Sequence, residues 1–143
     1  MFRMMAVLLA LGVCSSATAQ ISTYADVKAK SGAQLSAADL NQLMPGAKVV
    51  SRTPAGSTRT WENKPDGTFV ASSDGRGSTG GKNVPGTGNG TWKVTPEGRY
   101  CVAIQWTRIS EDWCRLIFKV ADKYYGVGKL DEAAVANEFE FSK

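Results

Sequence analysis

Two hydrophobic periods divide the chain near residue 47. In AQLSAADLNQLMPG, Leu40, Leu43 and Met44 recur at helical spacing. Ser36 fits an N-cap with Asp39 three residues on, Leu35 and Leu40 fall at the hydrophobic-staple positions, and Pro45-Gly46 stops the helix. A shorter helix is expected before it, from Thr23 in TYADVKAKSG. From Lys48 onward, short apolar or aromatic runs are separated by Gly, Pro and Asp. Strands are predicted near 48–50, 57–62 and 67–72, then in TWKV, RYCVAIQW, DWCRLIFKV and KYYGVGK. A closing strand is predicted in NEFEF, where Phe139 and Phe141 alternate with Glu138 and Glu140. About eight short strands joined by Gly/Pro turns imply a mainly β fold, an antiparallel barrel or sandwich. One or two short N-terminal helices would cover an edge or an open end.

The decapeptides TWENKPDGTF and TWKVTPEGRY share a Thr-Trp, a Pro-acid-Gly and a final aromatic. Pro supplies φ near −65° at the first turn position, and Gly accepts the positive φ needed to re-enter the ladder. The similarity is therefore read as one hairpin turn used twice, with Trp61 and Trp92 facing a core. Between these hairpins lies a stretch, residues 74–90, with seven glycines, expected to be a mobile surface loop. A phosphate-loop reading fails there, because Arg76 and Asn83 occupy two of its fixed positions.

The ends add location. MFRMMAVLLALGVCSSATAQ has one early cation, an apolar run and Ala17-Thr18-Ala19, the layout of a secretory signal cleaved before Gln20. The run is about half the ~20 residues a membrane helix needs. Cys14 in LGVC offers a lipoprotein site instead, disfavoured by Val13 immediately before it. Residues 1–19 are thus read as a signal peptide. Residues 20–143 are read as a single β domain with a helical start over 20–47, exported to the periplasm or secreted. Loss of Arg3 with the signal takes the net charge from +4 to about +3, and no dense Lys/Arg run suggests nucleic acid.

Two cysteines remain, Cys101 and Cys114, and an even pair in an exported chain implies one disulfide. Alternation along RYCVAIQW puts Tyr100, Val102, Ile104 and Trp106 on one face and Cys101 on the other. If TRISED formed the hairpin loop, the cysteines would fall several residues out of register, too far apart to bond. Placing them opposite each other is expected to shorten the strands and to carry Trp106 toward the hairpin tip. The disulfide is favoured over the alternation.

The chain has no histidine, which excludes Ser-His-Asp and Cys-His catalysis and histidine-held metals. No acidic spacing resembles a calcium loop, and nothing selects a carboxylate pair for a hydrolase from 13 acids. No catalytic residue, cofactor or metal site is assigned. Aromatics near hairpin ends are the remaining resource. Trp113 shares a phase with Arg115 and Lys119, opposite Leu116, Phe118 and Val120. It reads either as a stacking residue on a polar face or, in the disulfide register, as a packing residue opposite Val102. Trp106, Trp113 and Arg115 are the candidate binding residues.

The order of features resembles a family of small exported bacterial proteins known only as a domain of unknown function. The carriers are Leu40 and Leu43 before Gly46, then Trp61, Asp66-Gly67, Gly90-Thr91-Trp92, Gly98, Cys101, Trp106 and Cys114. The resemblance covers residues 36 to about 128 and implies fold and location, with no active site. Size, export and a single disulfide also resemble periplasmic barrel inhibitors of metalloproteases, whose inhibitory arm would correspond to the segment from Gln20 or Ile21. The expected function is non-enzymatic binding by a monomer without a transmembrane span. The partner would be an unknown small molecule, glycan or protein, with no nucleic acid. The alternative is a protein-protein inhibitor or an envelope or host interaction domain.

Overall fold

The computed structural model describes residues 19–76 and 86–143. The expected signal segment, apart from its last residue, and the centre of the Gly-rich stretch lie outside the described residues. In chain order the elements are α1 (Tyr24–Ala29), β1 (Ala33–Gln34), α2 (Ala37–Leu43), β2 (Lys48–Arg52), β3 (Thr58–Glu62) and β4 (Thr68–Ser73). They continue with β5 (Gly86–Val94), β6 (Tyr100–Trp106), β7 (Ser110–Val120), β8 (Lys123–Val127) and β9 (Ala136–Ser142).

From β2 to β9 every strand pairs antiparallel with its sequence neighbour, and β9 returns to pair with β2. The result is a closed up-and-down barrel of eight strands, which leaves no long sheet edge unpaired. Of the two architectures expected, the barrel is the one formed. The two-residue β1 lies against the end of β7, Ala33 opposite Lys119.

The repeated decapeptides are one turn design, as read from the sequence. Thr68 O accepts from Lys64 N–H and Arg99 O from Thr95 N–H, while Gly67 and Gly98 take φ of 85° and 82°. A third copy escaped the sequence reading. In TPAGS, Thr53 N–H donates to Ser57 O, and Gly56 has φ of 90°. All three copies share Pro and Gly two residues apart; the acid is dispensable.

The Gly-rich stretch ends sooner than expected, because β5 already begins at Gly86. Glycine is tolerated in this strand for a packing reason: a Cβ on Gly90 would stand 2.1 Å from the ring of Phe69. The interior phase of β5 is small at Gly88 and Gly90, where the rings of Trp106 and Phe69 take the space, and larger beyond them at Trp92 and Val94.

Each helix starts with a full capping box, Thr23 with Asp26 and Ser36 with Asp39. The helix α2 closes one end of the barrel. Leu40 and Met44 are fully buried there beside Val49, Trp61 and Tyr100. The Asn63 amide donates to Met44 O at 3.2 Å, and its Oδ1 accepts from Trp61 Nε1 and Tyr100 Oη at 3.0 and 2.8 Å. Trp92 stands at this same end, half-buried rather than wholly in the core, with Nε1 donating to Lys64 O at 2.8 Å.

The helix α1 packs elsewhere, on the outside of the wall. Val27 is buried against Leu116, Phe118, Tyr125, Val127 and Ala136, a second apolar cluster. The chain reaches α1 along the barrel: Ala136 N–H donates to Ser22 O, and Thr23 bridges Val135. Residues 22–35 are therefore part of the packed structure, not a projecting arm. No helix among the described residues is long and apolar enough to cross a membrane.

The barrel mouth as candidate functional site

The end opposite α2 is built from the last residues of β2, β4, β6 and β8 and the first of β3, β5, β7 and β9. Cross-strand pairs decide what faces inward there. Phe139 is fully buried in the barrel core, Ser51 pairs with it, and Arg59 pairs with Ser51, so all three point inside. On β7, Ile117 is fully buried in that same core, which puts Arg115, Trp113 and Glu111 on the interior phase.

This decides between the two readings of Trp113 in favour of the packing residue opposite Val102. The Trp113–Arg115 phase is not an outer polar face. It is the barrel interior, while Leu116 and Phe118 face outward and find cover beneath α1. The strand is apolar on both sides, and the more strongly apolar phase is the outer one.

The supposed conflict between disulfide and alternation also disappears. Cys101 pairs with Cys114 and bonds to it, with Cα atoms 4.0 Å apart. In the same register Val102 faces Trp113, and the ladder runs on to Gln105 opposite Ser110. The strands lengthen instead of shortening, because the turn spans only 106–109, with Trp106 N–H donating to Ile109 O at 2.9 Å. Both cysteines lie on the outer phase, so Tyr100, Val102, Ile104 and Trp106 keep the inner one. Trp106 stands at the hairpin tip, as expected.

The three candidate binding residues thus share one interior at successive levels, Trp106 at the hairpin tip, Trp113 opposite Val102 and Arg115 opposite Tyr100, joined by two charges that the sequence reading passed over. Arg59 forms an ion pair with Glu111, their side chains 25% and 19% exposed. The guanidinium of Arg59 lies 5.4 Å from the centre of the Trp106 ring, and that of Arg115 lies 4.9 Å from Trp113. Trp113 Nε1 donates to Glu111 Oε1 at 3.4 Å. The stem of Arg115 passes over Gly126, where a Cβ would come within 3.0 Å of its Cδ and 2.6 Å of Phe139. Burial pushes the Arg115 guanidinium down from its ordinary value; Glu111 opposes this and Arg59 adds to it. Among the described residues no carboxylate lies within ion-pair distance of Arg115.

Trp113 is chiefly a floor. Its ring meets Trp61, Tyr100 and Phe139 at centroid distances of 6.4, 6.0 and 6.0 Å. Trp106, partly buried, packs against the same core from the hairpin tip. Arg59 was detectable in the sequence, since it stands two residues before the core residue Trp61 on the same strand. Glu111 likewise stands two before Trp113.

The decisive feature is a deficit of acceptors. Among the described residues, three buried side-chain polar atoms lack a hydrogen-bond partner: Arg59 Nε, Trp106 Nε1 and Arg115 Nε. All three are N–H donors, and all three belong to this cluster. Buried donors are ordinarily satisfied, so such a concentration marks a place where a partner is missing. Two depressions differ. One, of about 210 Å³, lies where Gln20 and Ile21 meet the 53–57 turn. The other, of about 480 Å³, lies against β5, β6 and β7 beside Asn89, Gln105 and Asp112, and reaches Glu111 of the cluster. Neither is lined by an unpaired buried donor.

Comparison with known families matches residues 12–112 to DUF995, described as a protein of unknown function. The chain belongs to this family. The match takes in 101 of the 143 residues, including Arg59, Trp106 and Glu111; Trp113 and Arg115 fall just after it. Searches of curated proteins and of solved structures give no match. The resemblance to metalloprotease inhibitors finds no support in these comparisons.

Proposed function

We propose that this protein works by binding, not catalysis, and that its ligand enters the open end of the barrel. The carrying observation is the cluster of three unpaired buried donors on Arg59, Trp106 and Arg115. A ligand bringing acceptors would satisfy groups that cost free energy when left dry and unpaired. The closed wall, the capped far end and the disulfide across β6 and β7 make a fixed frame for such a mouth. We place this activity outside the cytoplasm, on the signal-like sequence of residues 1–19 and the disulfide.

The test is titration of the oxidised protein with fractionated envelope and medium extracts, following tryptophan fluorescence and melting temperature. A bound component raises the melting temperature, and the rise is lost in Trp106→Phe. A rise that survives both Trp106→Phe and Arg115→Gln would refute the location. N-terminal sequencing of the exported protein is expected to begin at Gln20.

A second reading, a docking domain for a protein partner, is favoured by one observation. Ile109 and Leu130 are 54% and 59% exposed, both in loops at the end of the barrel opposite α2. Capture of one stoichiometric partner through these loops, lost on Ile109→Ser, would establish it in place of a small ligand.

A further inference from the structure

We infer that the Cys101–Cys114 bond is a thiol-exchange site, at which an anionic thiol attacks Cys114 as its thiolate and expels Cys101. Both cysteines lie on the outer phase of the barrel wall, so this site is separate from the interior mouth. Exposure distinguishes the two. Cys101 is 4% exposed, between the buried Tyr100 and Val102, whereas Cys114 is exposed. Exchange depends on access to the sulfur attacked, so the exposed cysteine takes the nucleophile and the covered one leaves.

Two cations frame the bond. Lys93 on β5 is the direct partner of Cys101, which sets their Cβ atoms roughly 5 Å apart on the outer face. Arg99 precedes the inward-facing Tyr100 and so leaves on the outer side. Its Nη1 donates to Gly128 O at 3.1 Å, just past the end of β8. Tyr100 pairs with Arg115 on one side of β7, and Val127 pairs with Leu116 on the other. The Arg99 side chain therefore crosses the outer face of β7 next to Cys114. Among the described residues neither cation is in an ion pair. Asp112, two residues before Cys114, is the opposing charge on this face. Exposed sulfur in electropositive surroundings is the reactive kind. Arg99 draws the incoming anion to Cys114, and Lys93 offsets the cost of forming a thiolate at the covered Cys101.

In the step, a bond forms between the incoming sulfur and Cys114 Sγ while the bond to Cys101 Sγ breaks. Cys101 leaves with the electron pair and takes a proton from water. One equivalent of a monothiol stops at this mixed disulfide. With a dithiol, the second thiolate attacks the incoming sulfur and frees Cys114. The cystine then gains two electrons and two protons, and the dithiol becomes a disulfide.

The experiment is reaction of the oxidised protein with 3-mercaptopropanoate, whose body is anionic, and with 2-mercaptoethanol, whose body is neutral. Early samples are quenched with acid, the freed cysteine is alkylated, and the peptides are mapped by mass. The expected result is the adduct on Cys114 and the alkyl group on Cys101, at least tenfold over the reverse. Per thiolate, 3-mercaptopropanoate is expected to react severalfold faster at low salt, an advantage lost at about 1 M salt. Lys93→Gln is expected to slow both thiols severalfold at an unchanged melting temperature. An adduct on Cys101, or equal yields, would overturn the assignment of the attacked sulfur. Equal rates for the two thiols would overturn the selection for an anion. No adduct under conditions that fully reduce oxidised glutathione would overturn the site itself. These readings are made on the unaltered protein, so a variant that fails to fold does not decide them.

Discussion

Gly90 and Phe69 are direct cross-strand partners between β4 and β5, and the phenyl ring covers the position that a side chain on Gly90 would take. Gly90→Ala is expected to destabilise the barrel by about 1–3 kcal/mol through overpacking. Combining it with Phe69→Leu should recover part of that loss, a coupling that a double-mutant cycle in urea would measure. Purely additive losses would show that backbone preference, not the ring, keeps glycine there.

Trp113→Ala should be costly in a different way. The ring packs among Trp61, Tyr100 and Phe139, so truncation opens a hole in the barrel centre, with an expected loss of about 3–5 kcal/mol. Chemical denaturation would read it. A variant as stable as the parent would mean that Trp113 is held for ligand contact alone. Trp106, at the hairpin tip, is the better residue for separating binding from folding.

Removing the disulfide by Cys101→Ala with Cys114→Ala opens a loop of 13 residues' separation, for which chain entropy gives about 3 kcal/mol. The bond lies on the outer phase, so the interior should keep its arrangement. Lower denaturant midpoint with unchanged tryptophan emission is the expected pair of results. A shifted emission maximum would mean that the bond also positions Trp113, its sequence neighbour.

Acid should loosen both helix starts. Backbone N–H groups of Ser22 and Thr23 hold the Asp26 carboxyl below its ordinary 3.8, and Ser36 does the same for Asp39. A carboxyl that is more acidic in the folded state stabilises the fold above its unfolded value; that contribution fades as pH falls through the folded value. Melting temperature should therefore drop on titration from about pH 5 to about pH 2. Asp39→Asn should start lower and fall less. A variant with the parent's full acid dependence would assign the effect to other groups.

Alternation and turn chemistry announced most of the eight barrel strands, because most are half-buried and bounded by Gly or Pro; β7 is bounded by neither, and Ala121 takes the positive φ after it. Barrel and sandwich were not separable that way. Closure depends on β9 finding β2, 86 positions apart at Arg52 and Glu138, and no local period encodes that pairing. The candidate site was half visible. Trp106, Trp113 and Arg115 were chosen for type and position, but Arg59 and Glu111 were missed because a charge on a strand is ordinarily solvated. Their phase, shared with Trp61 and Trp113, carried the contrary signal. The two readings of Trp113 have the same root: a period-two rule assumes one apolar face, and β7 has two, so only the disulfide register could choose between them.

That double-faced strand makes β7 a party wall between two cores. Leu116 and Phe118 anchor α1 outside, while Trp113, Arg115 and Ile117 furnish the room within. Peeling α1 away would wet the back of the same backbone that aims Arg115 and Trp113. The outer strap and the inner mouth should therefore exchange their amide hydrogens as one cooperative unit, and a chain cut between α1 and β1 would lose the shape of a site it never touches.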